Sequence, residues 1–181
     1  EQVELMYQVA KALCYVAENG IVHRNVKLSN ILITGSVLDE VKKSIAKLGD
    51  FGLAVGRRPN PGLAGTLVYM APEARENIIA PHMTDMYAYG FVMLATFSRT
   101  DVELGLAEDL PAELTRASSW WPGEVLKNRA YIQDRTANLI SAACREEASR
   151  RPKFAAALRQ LMCIAEEGLG ANLAWLRLYP Y

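Results

Sequence analysis

The sequence is poor in the residues that build metal sites and disulfide frameworks. Two histidines cannot make a zinc site of the usual kind. The three cysteines, Cys14, Cys144 and Cys163, are far apart, and none sits in a Cys-x-x-Cys pair. An odd, dispersed set reads as reduced thiols packed inside a cytoplasmic protein. Neither sign of charge is in excess, with 20 Lys and Arg against 20 Asp and Glu. That removes the basic signature of a nucleic-acid or membrane-surface binder. No apolar run is long enough to span a bilayer. The longest, around Tyr87 to Phe97, includes Gly90 and reads as a buried helix. No internal repeat, low-complexity tract or signal peptide is visible: the first residue is Glu1 and the first turns are amphipathic. The missing initiator methionine points to a piece of something longer.

What is present is ordinary globular material. Half of the 181 residues are hydrophobic, enough for one domain with a sizeable core and too many for a disordered tail. Val3, Met6, Tyr7, Ala10, Leu13, Cys14 and Ala17 recur at helical spacing. Residues 1–19 therefore form a helix, stopped at Asn19-Gly20, where glycine accepts the left-handed cap position. Gly20-Ile21-Val22 and Ile31-Leu32-Ile33 are apolar pieces of strand character flanking a polar loop, His23 to Asn30. Ile31 to Thr34 and a segment around Ser44 to Leu48 make a hairpin, with a long polar link from Gly35 to Lys43. Residues 53–65 hold three glycines and two prolines, which excludes a regular helix or central strand. Asp85 to Ser98 is apolar on nearly every side, a buried helix with Thr84 as its N-cap. Residues 99–123 are irregular and contain Trp120-Trp121, which either packs on neighbouring helices or docks a partner. Further helices are expected over 135–147 and over Phe154 to Glu167, the second ended by Gly168.

Three blocks carry the chemistry, in this order. The first is His23-Arg24-Asn25-Val26-Lys27-Leu28-Ser29-Asn30. The second is Gly49-Asp50-Phe51-Gly52. The third runs from Gly65-Thr66 to Ala71-Pro72-Glu73. Each alone would recur by chance; the ordered set would not. Together they resemble a protein kinase, with its catalytic loop, its metal-binding Asp-Phe-Gly and the Ala-Pro-Glu that ends an activation segment. The fold this implies is mainly α with a small β-hairpin. It is the C-terminal, or large, lobe of the α+β kinase fold over residues 1–168, with the N-lobe absent and 169–181 as an extension.

The resemblance implies ATP and Mg²⁺ as cofactors and a protein as substrate or partner, with no nucleic acid and no membrane insertion. Asp50, a hard carboxylate, and Asn30, through its amide oxygen, are the implied Mg²⁺ ligands. With them, Leu32 would bind the nucleotide from beneath the adenine ring. Lys27 would contact the transferring phosphate, a trait of serine/threonine kinases. His23 and Phe51 are implied to be internal side chains that stack and tie the loop to the core. Asp85 would hold the loop's backbone amides, and Glu73 and Arg151 would form a partly buried ion pair. Arg24 is the residue that receives an activation-segment phosphate in many relatives, and Thr66 packs beside the catalytic loop. No Ser, Thr or Tyr lies between Phe51 and Thr66, so no phosphorylation switch is expected within residues 53–65.

One position departs from the family. Asn25 stands where the resemblance places the catalytic aspartate. Asparagine keeps the shape and accepts hydrogen bonds but takes up no proton near neutral pH. Loss of general-base help costs roughly 10²–10⁴ in rate, or about 3–5 kcal/mol of barrier. The sequence also contains no Gly-x-Gly-x-x-Gly and no lysine-bearing strand of the Val-Ala-Ile-Lys kind. Tight ATP binding by this piece alone is therefore not expected. Three readings stay open. One is a kinase of the serine/threonine or tyrosine-kinase-like branch, impaired at Asn25. The second is a pseudokinase acting as a scaffold or allosteric module, and the third a truncated, inactive fragment.

Overall fold

The computed structural model describes residues 2–35, 44–56, 62, 64–78, 80–98 and 132–169. The hairpin link after Gly35, part of the 53–65 loop, Trp120-Trp121 with the rest of 99–123, and the tail beyond residue 169 lie outside the described residues.

Helix α1 (Gln2–Glu18) buries Met6, Tyr7, Val9, Ala10, Leu13 and Val16 along one face. It ends as its sequence dictates. Gly20 takes φ 71°, its N–H bonds Ala17 O at 2.9 Å, and Ile21 N–H bonds Val16 O at 3.0 Å. This pair of bonds satisfies carbonyls that the helix leaves open. Strands β1 (Ile31–Thr34) and β2 (Ile45–Leu48) pair antiparallel, with Ile31 opposite Leu48 and Thr34 opposite Ile45. The hairpin sits on α1 through a buried polar clamp. Gln8 Oε1 accepts the Ala46 N–H at 2.7 Å, and its Nε2 donates to Ser44 O at 3.3 Å.

Short helix α2 (Pro72–Arg75) starts on a proline, whose missing N–H costs nothing in a first turn. Helix α3 (Met83–Ser98) is the centre of the core. Met86, Tyr87, Tyr89, Phe91, Met93 and Leu94 are all buried, and the Tyr89 hydroxyl donates to Met6 O at 2.8 Å, joining α3 to α1. Helix α4 (Asp134–Ala143) packs on α3, and α5 (Phe154–Leu169) packs on α1 and α4. Gly90 permits the α3–α4 approach: a Cβ there would stand 2.5 Å from Cys144 Sγ and 2.9 Å from Ala143 Cβ. The result is a mostly helical body with one small two-stranded sheet among the described residues.

Four local expectations are corrected. Helix α5 runs on through Gly168 to Leu169 instead of ending there. Gly20-Ile21-Val22 is not a strand; Val22 makes a single antiparallel bridge, exchanging two 2.9 Å bonds with Val55. The polar loop begins too soon for a ladder to extend. Thr84 is not an N-cap, because α3 starts one residue earlier at Met83. Its hydroxyl accepts the Ala80 N–H at 3.3 Å and stands 3.1 Å from Glu73 Oε1. Helix α4 stops at Ala143, short of residue 147. The carbonyls of Arg145 and Glu146 turn away to meet the Arg151 guanidinium at 2.7 and 2.8 Å.

Candidate active site

The polar loop leaves α1 and is pinned from below by Asp85, in the first turn of α3. Asp85 Oδ2 accepts the His23 N–H at 2.7 Å, and Oδ1 accepts the Arg24 N–H at 2.9 Å. The carboxyl is buried. Burial pushes its pKa up, the two amide donors pull it down, and the net direction is up. Arg24 can follow the pinned backbone only in the left-handed region, at φ 69°. His23 has no exposure. Its Nε2 lies 3.0 Å from Gly49 O, so that nitrogen carries the proton, and Nδ1 accepts the Asn25 N–H at 3.3 Å.

Asn25 is the hub. Its Nδ2 donates to Asp50 Oδ2 at 3.0 Å, and its Oδ1 accepts the Thr66 hydroxyl at 3.2 Å. Its carbonyl accepts Asn30 Nδ2 at 2.8 Å; the same nitrogen lies 3.4 Å from Asp50 Oδ2. Asn30 O in turn accepts the Gly49 N–H at 2.8 Å, which sets the end of the hairpin beside the loop. Asp50 is exposed, at φ 56°, and its Oδ1 accepts the Gly52 N–H at 3.3 Å. Four of the expected site residues, Asn25, Asn30, Asp50 and Thr66, are thus in one hydrogen-bonded group.

The others surround it at varying remove. Lys27 opens the 3-10 turn Leu28–Asn30, half-buried and with no ion pair among the described residues. Leu32 projects from β1, opposite Lys47, 57% exposed. Phe51 stacks edge-on against His23, with ring centroids 4.6 Å apart. It is not internal as expected: it is 46% exposed, because only one side of the ring leans on the loop. The Arg24 guanidinium donates to the carbonyl of Gly62. Glu73 and Arg151 form a two-pronged ion pair, at 2.6 and 2.8 Å. Its arginine end is fully buried, more than the expected partly buried pair.

Gly65, at the head of the third sequence block, has a structural role of its own. It sits at φ 120°, and a Cβ there would lie 2.5 Å from Arg24 O. The activation segment meets the loop so closely at this point that a side chain has no room. The signal was its place beside Thr66, but the close approach itself is not written in any local pattern.

Among the described residues no cluster of three His, Cys, Asp or Glu could hold a metal ion alone. One exposed carboxylate and one amide nevertheless suit Mg²⁺, which takes few protein ligands and completes its shell with water and phosphates. Asn30 commits its Nδ2 to Asn25 O, leaving its side-chain Oδ1 for a cation.

A helical body carrying a hairpin, with a pinned polar loop facing an Asp-Phe-Gly turn, defines a protein kinase domain. The family model for protein tyrosine and serine/threonine kinase matches residues 1–161, and the chain belongs to that family. It is 30% identical over 167 residues to serine/threonine-protein kinase STY46 of Arabidopsis thaliana, covering 88% of this chain and 26% of that protein. It is likewise 30% identical over 154 residues to serine/threonine-protein kinase Nek9 of Xenopus laevis, covering 81% of this chain and 15% of that protein. With phytosulfokine receptor 2 of Arabidopsis thaliana it shares 40% identity over 101 residues, 51% of this chain and 9% of the receptor. The chain therefore spans about a quarter of the first of these proteins and less of the other two. The family in general uses ATP and Mg²⁺ and acts on proteins. No described helix is long and apolar enough to cross a membrane.

Proposed function

We propose that this chain is the large lobe of a serine/threonine-type protein kinase domain whose phosphoryl transfer is impaired at Asn25. In the full-length protein, Asp50 and Asn30 hold Mg²⁺ against the ATP phosphates, Leu32 lies under the adenine, and Lys27 meets the transferring phosphate. The observation that carries this reading is the Asn25 amide, with Nδ2 on Asp50 and Oδ1 under Thr66. A side chain in that bracket stands at the reacting end of the site yet takes no proton. Phosphoryl transfer depends mainly on positioning and charge stabilisation. Turnover is then slowed by roughly 10²–10⁴ rather than abolished.

The same amide favours a second reading, a pseudokinase that serves as a scaffold or allosteric module. Both of its ends are engaged within the protein, so orientation of a substrate hydroxyl suffers along with proton transfer. In either case the partner is a protein. The three free cysteines support a cytoplasmic location.

The test is Mg²⁺–ATP binding and γ-phosphate transfer, measured side by side on the full-length protein, its Asn25→Asp variant and its Asp50→Ala variant. Slow native transfer, raised by Asn25→Asp and lost in Asp50→Ala, supports the impaired kinase. Transfer by Asn25→Asp alone supports the pseudokinase. Absence of nucleotide binding from both the native protein and Asn25→Asp refutes the impaired kinase and leaves a scaffold or an inactive fragment.

A further inference from the structure

We propose that Asn25 is a positioning residue, a neutral clamp that holds Asp50 where a divalent cation would otherwise neutralise it. The catalytic loop and the Asp-Phe-Gly turn then stay joined without metal, and a cation must displace the clamp to bind. The inference rests on the reading of Asp50 and Asn30 as Mg²⁺ ligands.

The orientation of the amide follows from its partners. A carboxylate only accepts, so the atom 3.0 Å from Asp50 Oδ2 must be the N–H₂ end. The opposite end then accepts the Thr66 hydroxyl at 3.2 Å. Asp50 receives a second N–H from Asn30, at 3.4 Å on the same oxygen, and a third from Gly52, at 3.3 Å on the other. Three dipoles thus stand in for a positive charge. An aspartate at position 25 would instead place a second carboxylate about 3 Å from the first, an arrangement that two charged groups do not tolerate without a proton or a cation between them. Asn25 closes this corner with an N–H and no cation. The N–H on Oδ2 occupies a direction from which a cation would approach, so clamp and cation exclude each other there.

The test is thermal unfolding of the full chain in EDTA and in excess Mg²⁺ or Mn²⁺, with Mn²⁺ binding followed by electron paramagnetic resonance. The native protein should change its Tm by less than about 1 °C on adding cation, since little binding means little stabilisation. Asn25→Asp should lose on the order of 5 °C in EDTA, regain it in Mn²⁺, and bind Mn²⁺ roughly tenfold more tightly or better. Asn25→Ala adds no charge. It should lose Tm in EDTA, recover part of it in Mn²⁺ as the freed carboxylate takes the ion, and so report even if Asn25→Asp fails to fold. A merely structural asparagine would lower Tm equally with and without cation, and that result overturns the proposal. So does a native Tm that rises with Mn²⁺ as far as that of Asn25→Asp. Neither readout needs ATP, so the clamp can fail while the kinase reading stands, and the phosphate-transfer assay can fail while the clamp stands.

Discussion

Replacing Glu73 by glutamine should unfold much of what joins the activation segment to the lower helices. The Arg151 side chain has no exposure and that of Glu73 has 13%. The guanidinium meets the carboxylate through Nη1–Oε1 at 2.6 Å and Nη2–Oε2 at 2.8 Å. Its remaining N–H groups go to Arg145 O at 2.7 Å, Met83 O at 2.9 Å and Glu146 O at 2.8 Å. All five guanidinium donors are committed. The Tyr87 ring lies 4.9 Å from the guanidinium carbon. Glutamine keeps the shape but turns an amide N–H₂ against one Nη and removes the charge facing a buried cation. Breaking one partner of such a pair costs about 3–5 kcal/mol, against about 0–1 kcal/mol for a surface pair. At about 2–4 °C per kcal/mol for a chain of this size, Tm should fall by about 6–20 °C. Urea unfolding of the native and variant proteins reads the loss directly. The Glu73→Leu, Arg151→Met double variant should not fully recover, because Arg145, Met83 and Glu146 each lose a donor, at about 1–3 kcal/mol per buried carbonyl left unmet. A Glu73→Gln loss under about 1 kcal/mol would refute the reasoning.

Gly90→Ala gains about 1 kcal/mol of helix propensity but drives a methyl to within 2.5 Å of Cys144 Sγ, so α3 and α4 must part. A net loss of about 1–2 kcal/mol in urea, relieved by Cys144→Ala, is expected; unchanged stability would exclude the tight contact. Burial raises the Asp85 carboxyl above its usual range despite the His23 and Arg24 amides, so the folded state keeps that proton longer than the unfolded chain does. Its contribution to stability is full below the ordinary value of about 3.9 and is lost as pH rises through the folded value. Calorimetry should therefore show native stability falling relative to Asp85→Asn as pH rises from about 4, and a flat or rising difference would contradict this. Of the three thiols, Cys163 is exposed, while burial raises both Cys144 and Cys14 above the usual thiol range, with Glu18 adding to Cys14. A thiol reagent should modify Cys163 first in the native protein, and Cys163→Ser should abolish that fast phase.

The parts of this fold that are legible in the sequence are those where one stretch of chain decides its own conformation. The face of α1, the all-round apolar run of α3 and the glycine stop at Gly20 are local facts, and α1, α3 and α5 fall within two residues of expectation. The parts that were missed are set by residues far off in sequence. The end of α4 is fixed by Arg151, which draws in carbonyls that a continuing helix would have used. Gln8 reads as an ordinary polar residue of α1, yet it is buried with its amide on Ser44 O and the Ala46 N–H, 36 and 38 positions later. Gly65 and Gly90 are needed for contacts with Arg24 and Cys144, and nothing beside them in the chain announces it.

The candidate site divides in the same way. Its residue types are legible because the chemistry of phosphoryl transfer demands them in fixed order; what they touch is not. Read from the sequence, Asn25 is a subtraction, an aspartate that has lost its ability to take a proton. Read from the geometry, it is also an addition, because the amide brings an N–H that a carboxylate cannot supply and delivers it to Asp50 at 3.0 Å. A substitution that only removed catalysis would be tolerated in many forms, alanine or glycine among them. One that also bridges Asp50 and Thr66 is restricted to a side chain with a donor and an acceptor at this reach, and asparagine is the smallest that has both. The structural demand on position 25 is therefore sharp in its own right.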